Sequence, residues 1–491
     1  MHTIHLMSPI IRGQRVTFQW RVEPHSPLYK QTHFSIQFPS FLNLTKVPDR
    51  LWWDLLVMCL HPHWLLLRPC EVHLPLKLGE PLIQFWLQML RNAADTLDAY
   101  GPPDSTSDLG VVIVDGDIRI PHAAVAGSGY GTAFSGGKDS LLQAGLLFEL
   151  TERPLLVATT SPMPPLADHV TARRRHVLAA IQTRRNPLFI ETVSDFRSTW
   201  DNSFAGQLGY RLAVNELTDT FLYTGSLLAA GAALGFTHLF VASETEIQES
   251  AVIDGKIVQH SHFMYSAATQ RALAGILMPY GLKLGSLTWP LHSKQVQQLL
   301  WRRYPDLCDL QYSCWRVGAD QETCSECEQC LRVAVTALET GDDPQRMGIN
   351  LYKLLKFAST WQPATPRHTS YSLPQDDAAD VVGARVVDSI HRTSIAHVGK
   401  TITNSRTGRM SLPNVIKTMW RFRNLQRRFR HFPEPRRMGV REAFFDWLDD
   451  DLRSSLVTIY KSYFPVEPRH EHQLTFERSR TLTARAVSLL E

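Results

Sequence analysis

The spacing of apolar positions changes along this chain, and the changes divide it. Early on, Val16, Phe18, Trp20 and Val22 alternate with polar neighbours, as do Phe34, Ile36 and Phe38. A period of two predicts half-buried strands. Residues 51–60 and 81–100 predict helices, and Pro81 suits a first helical position. Residues 101–108 are rich in Gly, Pro, Ser and Asp and read as a linker. Residues 111–114 and 118–120, around Asp115-Gly116-Asp117, predict a hairpin.

From Tyr130 the pattern becomes strand then helix, repeated. Strands are expected at 130–134, 155–159, 187–193 and 239–242, and helices at 167–183 and 217–234. Residues 155–159 form a continuous, largely apolar run, as in a strand buried on both faces. This alternation predicts an α/β fold with a doubly wound parallel sheet. The expected division is an N-terminal α+β unit over 1–108, the α/β unit over 109–342, and a mostly helical basic extension over 343–491. Ligands of such sheets sit at the carboxyl ends of the strands. Ser135–Ser140, Thr159, Thr160, Asp195 and Ser243–Glu246 should therefore face one crevice.

Composition narrows the class only a little. At 491 residues and 44% hydrophobic, the chain can bury a sizeable core, and a net charge of +4 is too mild to imply nucleic acid by itself. The start, Met1 to His5, lacks a charged segment leading into an apolar one, so no signal peptide is expected. Residues 51–67 carry Asp54, His61, Pro62 and His63, and 221–237 are rich in small residues. Neither reads as a membrane span. Four of the seven cysteines crowd into 314–330, a metal pattern more than a disulfide framework, which suits a reducing cytoplasm. Cys59, Cys70 and Cys308 read as core residues or bystanders. A homodimer is compatible with the sequence.

Candidate chemistry begins at Ser135-Gly136-Gly137-Lys138-Asp139-Ser140, between the 130–134 strand and a helix carrying Leu141, Leu142, Leu146 and Leu147. Two glycines let backbone approach a ligand, and the helix start offers N–H groups and the positive dipole end. Such a turn suits phosphate. It is not a Walker A loop, whose spacing is missing. Arg173, Arg174 and Arg175 either steer phosphate-bearing substrates or form a solvated face. Glu244 and Glu246 either bind ligand N–H groups or a cation, or are exposed loop acids. His260 and His262, with Tyr265, either ligate metal, contact a flat heterocycle or have no role. Ser293 is expected to cap the 295–301 helix. Lys294 near that helix start is disfavoured by the dipole, which makes a ligand role plausible.

Cys314, Cys324, Cys327 and Cys330 are spaced for a closed, tetrahedral, structural zinc site. An iron–sulfur cluster or a redox pair would use the same residue type. The following helix, 331–338, should end at Gly341.

These residues carry a resemblance. Ser135–Ser140 resembles the PP-loop (SGGxDS) of ATP pyrophosphatases, which split ATP between the α and β phosphates. With the cysteine knot and the Ser293-Lys294 helix opening, residues 130–342 resemble the QueC family, the 7-cyano-7-deazaguanine synthases of queuosine biosynthesis. The resemblance implies that a deazaguanine carboxylate attacks the α-phosphate, forming an acyl-adenylate that ammonia then takes. It also implies ATP, magnesium and zinc. ATP would be held by Ser135, Gly136, Gly137, Lys138, Asp139, Ser140 and Thr159, with Lys138, Asp139 and Ser140 catalytic. The deazapurine would meet Glu244, His262, Tyr265 and Lys294, and zinc the four cysteines. The family's Tyr-Pro-Asp-Cys-Arg stretch is missing, and His260–Ser266 stands in its place. The flanking regions make the chain similar to the long QueC-like proteins of anti-phage operons, the QatC type and the type IV CBASS component. There the implied acceptor is the N-terminal amine of a partner protein from the same operon. Thiolation or amidation of tRNA by a PP-loop enzyme, and a non-catalytic scaffold, are the competing functions.

Beyond Gly341, residues 361–380 read as a linker. Residues 401–440 are strongly basic, with Glu434 their one acid. Leu412, Ile416, Met419, Phe422, Leu425 and Phe429 keep roughly helical spacing among Arg421, Arg423, Arg427, Arg428 and Arg430. The basic side suits RNA, DNA or an acidic partner, or else is the solvated face of a docked helix.

Overall fold

Strands from the first third of the chain and strands from the α/β unit hydrogen-bond in one sheet. The computed structural model describes residues 1–99, 101, 109–161, 167–210, 212–245, 251–253, 256–258, 263–312, 314, 323–360, 389–403, 411–428 and 439–467. The strands are β1 (His2–Leu6), β2 (Ile10–Arg12), β3 (Arg15–Glu23), β4 (His33–Gln37), β5 (Cys70–Leu76), β6 (Val111–Ile118), β7 (Gly129–Ala133), β8 (Leu155–Thr160), β9 (Leu188–Ser194), β10 (Phe236–Phe240), β11 (Ala251–Ile253), β12 (Lys256–Val258) and β13 (Lys283–Gly285). Among the described residues the main sheet has 11 strands in the order β13-β10-β7-β8-β9-β4-β3-β1-β5-β6, with β2 beside β3.

The five strands β13, β10, β7, β8 and β9 are parallel. β4 then pairs antiparallel with β9, carrying the sheet into the N-terminal segment. Further along, β1, β5 and β6 are parallel. The sheet is thus large and mostly parallel, as the alternation predicts. In β8, Leu155 and Val157 enter one core while Leu156 and Ala158 enter the other. That two-sided burial explains the unbroken apolar run.

One core is capped by the helices Asp49–Trp64, Glu80–Ala99, Val214–Leu234 and Ala267–Leu277. Gly231 permits close packing of Val214–Leu234 on β10, since a Cβ on it would fall 2.8 Å from Leu239 Cδ1 and 2.9 Å from Phe236 O. Small residues in Val214–Leu234 thus serve a close contact with the sheet, and among the described residues no helix is long and apolar enough to cross a membrane. The second core lies under Lys138–Leu150, Ala167–Arg185, Ser293–Arg303 and Glu328–Thr340. Gly341, at φ +87°, ends the last of these, as expected.

Several expectations are corrected. Residues 111–120 do not form a hairpin. β6 is one continuous strand that pairs with β5 through a bulge near Leu74 and Leu76. Gly116 is there because a Cβ would fall 2.4 Å from Pro75 O. Asp115 accepts from the N–H groups of Leu78 and Gly79 at 3.1 and 3.2 Å, so its polarity serves the neighbouring loop. In the C-terminal segment Leu412–Arg428 is a helix, but it docks through Val415, Thr418, Phe422 and Leu425. Leu412, Ile416 and Trp420 are exposed. Cys59, Cys70 and Cys308 are buried and outside the cysteine cluster. The 101–108 linker beyond Gly101, the linker over 361–380, and Phe429 lie outside the described residues.

Candidate functional site

Strand order locates the site. Read along β9-β8-β7-β10-β13, the chain winds one way from β7 and the other way from β10, so direction reverses between these two. Ligands of open α/β sheets bind at that reversal, beyond the carboxyl ends. Ser135–Ser140 follows β7, and Ser243–Thr245 follows β10. The two segments are neighbours because their strands are.

The loop after β7 is shaped by its own side chains. Gly136 sits at φ +83°, where a non-glycine residue is strained. Ser140 Oγ accepts from the N–H groups of Ser135 and Gly136 at 3.3 and 3.1 Å and donates to Gly137 O at 3.1 Å. Gly137 N–H reaches Ser135 Oγ at 3.4 Å. Both serines therefore fold the loop from within. Gly137 caps the Lys138–Leu150 helix, whose first bond runs from Leu141 N–H to Gly137 O at 3.0 Å. The N–H groups of Lys138, Asp139 and Ser140 precede that bond and mark the anion-attracting helix end.

Lys138 is buried with two acids. Its Nζ lies 2.5 Å from Asp139 Oδ1 and 3.4 Å from Glu244 Oε1. Burial and then the charge of Glu244 push Asp139 up to about 6, against the pull of Lys138. Burial also pushes Glu244 up, but Lys138 and Arg332 outweigh it and hold Glu244 below its ordinary value. One buried ammonium thus balances two carboxylates that differ in proton affinity.

Glu244 is held by a polar clamp that the sequence did not announce. Ser243 N–H donates to Ser286 Oγ and Thr288 Oγ1, both at 3.1 Å. Thr245 Oγ1 donates to Trp289 O at 2.8 Å. Gln143, inside the loop's helix, donates to Thr132 Oγ1 at 2.7 Å and accepts from Leu287 N–H at 2.8 Å. A glutamine amid Leu141, Leu142, Leu146 and Leu147 was the available signal, since a buried amide needs partners.

Other expected residues divide. Thr159, at the end of β8, accepts from Thr192 Oγ1 at 3.0 Å and offers its carbonyl to Arg174. Tyr265 faces the crevice, where burial and then Tyr223, Asp139 and Glu244 raise its phenol. Arg197, Asp219 and Tyr223 make a buried network there that sequence reading missed. Lys294 instead pairs with Glu339 at 2.6 Å, tying two helices. His292 rather than Ser293 is the N-cap of that helix, its N–H donating to Gln295 Oε1 at 2.8 Å. Asp195 accepts from Ser35 N–H at 2.6 Å and serves the β4–β9 join. Arg175 pairs with Glu191 at 3.2 Å. Glu246, His260, His262 and Ser313 lie outside the described residues.

The sulfurs of Cys314, Cys324, Cys327 and Cys330 all lie within 4.8 Å of one another. Cys327 and Cys330 are 3.4 Å apart, Cys324 and Cys330 3.9 Å. A tetrahedral zinc–thiolate site has Zn–S near 2.3 Å, hence S–S edges of about 3.8 Å. Backbone N–H groups orient the sulfurs, Cys324 N–H to Cys314 Sγ at 3.3 Å and Glu326 N–H to Cys324 Sγ at 3.4 Å. The four cysteines can hold a metal such as zinc. Compared with protein-family models, with curated proteins and with solved structures, the chain matches none.

Proposed function

We propose that the chain is an ATP-dependent ligase of the PP-loop pyrophosphatase kind. It adenylates a 7-deazaguanine carboxylate and transfers the acyl group to an amine, the N-terminus of a partner protein in an anti-phage operon. The observation that carries the proposal is the cluster of Lys138 with Asp139 and Glu244, beside a helix start, at the reversal of the sheet.

A carboxylate oxygen attacks the α-phosphorus, the bond to the bridging oxygen breaks, and pyrophosphate leaves. The amine nitrogen then attacks the acyl carbon, AMP leaves, and the amine's proton passes to solvent. Lys138 and the N–H groups of the helix start meet the growing negative charge of the pyrophosphate, which stabilises the transition state more than the ground state. The donor set fits magnesium: Asp139 and Glu244 already share one cation and offer hard oxygen ligands. When bound there, magnesium would supply further positive charge to the phosphate chain. The cysteine knot takes no part in bond making, since four thiolates fill a tetrahedral zinc site.

Exchange of labelled pyrophosphate into ATP, dependent on the carboxylate, tests the first step. Intact-mass analysis of a co-expressed operon partner tests the second. A free nitrile in place of an acylated partner would mark ammonia as the acceptor. One observation favours a second reading, modification of tRNA. Lys417, Arg423, Arg427 and Arg428 are exposed on the same helix as Trp420, a surface that suits RNA. Nanomolar tRNA binding, abolished by deleting the C-terminal segment, would support it.

A further inference from the structure

Several buried or half-buried arginines have acid partners, and Arg174 stands apart from them. Arg50, Arg68 and Arg197 face Asp54, Asp98 and Asp219 respectively. Arg174 has no carboxylate partner among the described residues. Its Nη1 donates to Thr159 O at 2.9 Å and to Thr160 Oγ1 at 3.4 Å, while its Nε is buried with no hydrogen-bond partner among the described residues. The nearby Glu191 is taken by Arg175 through two bonds of 3.2 Å. Burial lowers both Arg173 and Arg174; around Arg174, Tyr223, Tyr312 and Glu191 oppose that shift and Arg197 adds to it, and the net direction stays down. A buried charge of this kind is costly unless something pairs with it.

Tyr312 stands in the same place. Among the described residues its hydroxyl is buried without a hydrogen-bond partner, and it lies within electrostatic range of Arg173 and Arg174. Its backbone N–H donates to Gly136 O at 2.9 Å. Val177, three residues beyond Arg174 on the same helix, borders the loop, since a Cβ on Gly136 would lie 3.8 Å from Val177 Cγ1. Arg174 and Tyr312 thus flank the glycine turn from two elements. With Nη1 held by the strand end, the Nε–Nη2 edge is the side of the fork left to grip an anion, and that edge suits bidentate binding of phosphate.

We propose that Arg174 and Tyr312 form the subsite for the outer phosphates of the nucleotide and for the pyrophosphate that leaves, with Arg173 at its entrance. The proposal rests on the nucleotide function above. It assigns the grip on the leaving group to a helix-borne arginine anchored on the end of β8 and to a phenol, in addition to the loop.

The test is calorimetry on the full, metal-loaded chain with inorganic pyrophosphate and, separately, AMP. Arg174→Gln should weaken pyrophosphate about tenfold or more, the loss of a charge-assisted contact, and leave AMP within about twofold. Tyr312→Phe should weaken pyrophosphate severalfold while keeping its backbone bond to the loop. It carries the test if Arg174→Gln does not fold, as judged by its melting transition. Unchanged pyrophosphate affinity in both folded variants, or equal loss of AMP and pyrophosphate, would overturn the subsite. A wild-type chain that binds AMP but not pyrophosphate would overturn it and leave the nucleotide function standing. A wild-type chain that binds neither would remove both.

Discussion

The backbone N–H of Tyr312 donates to the carbonyl of Gly136 at 2.9 Å, so the segment that enters the cysteine knot also braces the Ser135–Ser140 turn. Cys314 follows two residues later, and its sulfur accepts from Cys324 N–H at 3.3 Å. Metal in the knot would therefore fix the turn without touching the reaction. Cys327→Ser, or removal of the metal by a chelator, should lower the melting temperature and weaken nucleotide binding about tenfold. Metal analysis beside calorimetry checks this. Full nucleotide affinity in metal-free, folded protein would contradict the brace.

The acid pair makes a prediction in pH. Burial and the charge of Glu244 raise Asp139 to about 6. Its protonated form is favoured in the folded state. The associated stability is complete below its ordinary value of 3.8 and is lost as pH rises through about 6. Activity that needs the ionised form should fall on the acid side of about pH 6. Glu244→Gln removes a neighbouring negative charge, so Asp139 ionises more easily and the acid limb of pyrophosphate exchange should move to lower pH. A limb that stays in place or moves up would show that Asp139 does not set it.

Asp54 fastens the Asp49–Trp64 helix to the segment that leads into β13. Its carboxylate faces Arg50 at 3.5 Å and accepts from the Tyr280 hydroxyl at 2.5 Å. Asp54→Ala would leave the Arg50 charge buried and uncompensated, at a cost of about 3–5 kcal/mol. Tyr280→Phe removes one hydrogen bond and should cost about 1–3 kcal/mol. Urea denaturation of the two variants should give this order. A smaller loss for Asp54→Ala than for Tyr280→Phe would contradict it.

Two glycines should separate stability from binding. Gly136→Ala forces a side chain to φ +83° in the turn, a strain of about 1–2 kcal/mol, and should also impair nucleotide binding. Gly116→Ala puts a Cβ 2.4 Å from Pro75 O and should destabilise the chain by about 1–3 kcal/mol while the folded fraction binds normally. Melting curves and calorimetry on both variants make the comparison.

What the chain's pattern reveals depends on whether a residue's role is local. The turn at Ser135–Ser140, the run in β8 and the spacing of Cys324, Cys327 and Cys330 are local, and each is readable from neighbours in sequence. Partners distant in sequence are not. The β4–β9 pairing that joins the N-terminal strands to the sheet leaves no local mark beyond alternation, because period two gives a face and not a neighbour. Asp115-Gly116-Asp117 has turn composition, yet its glycine answers the approach of Pro75 from another strand. Lys294 at a helix start looks misplaced until Glu339 is found opposite it, 45 residues later. Leu412 and Ile416 share helical spacing with buried positions, but the docked face is set by Val415, Phe422 and Leu425.

The most direct test of ATP-dependent acyl activation is product analysis. The full chain is incubated with ATP, magnesium and a 7-deazaguanine carboxylate, with Asp139→Asn run alongside. AMP and pyrophosphate should appear in equal amounts with the native chain, and neither with the variant. Release of ADP and phosphate, or AMP formation that survives Asp139→Asn, would contradict the assignment.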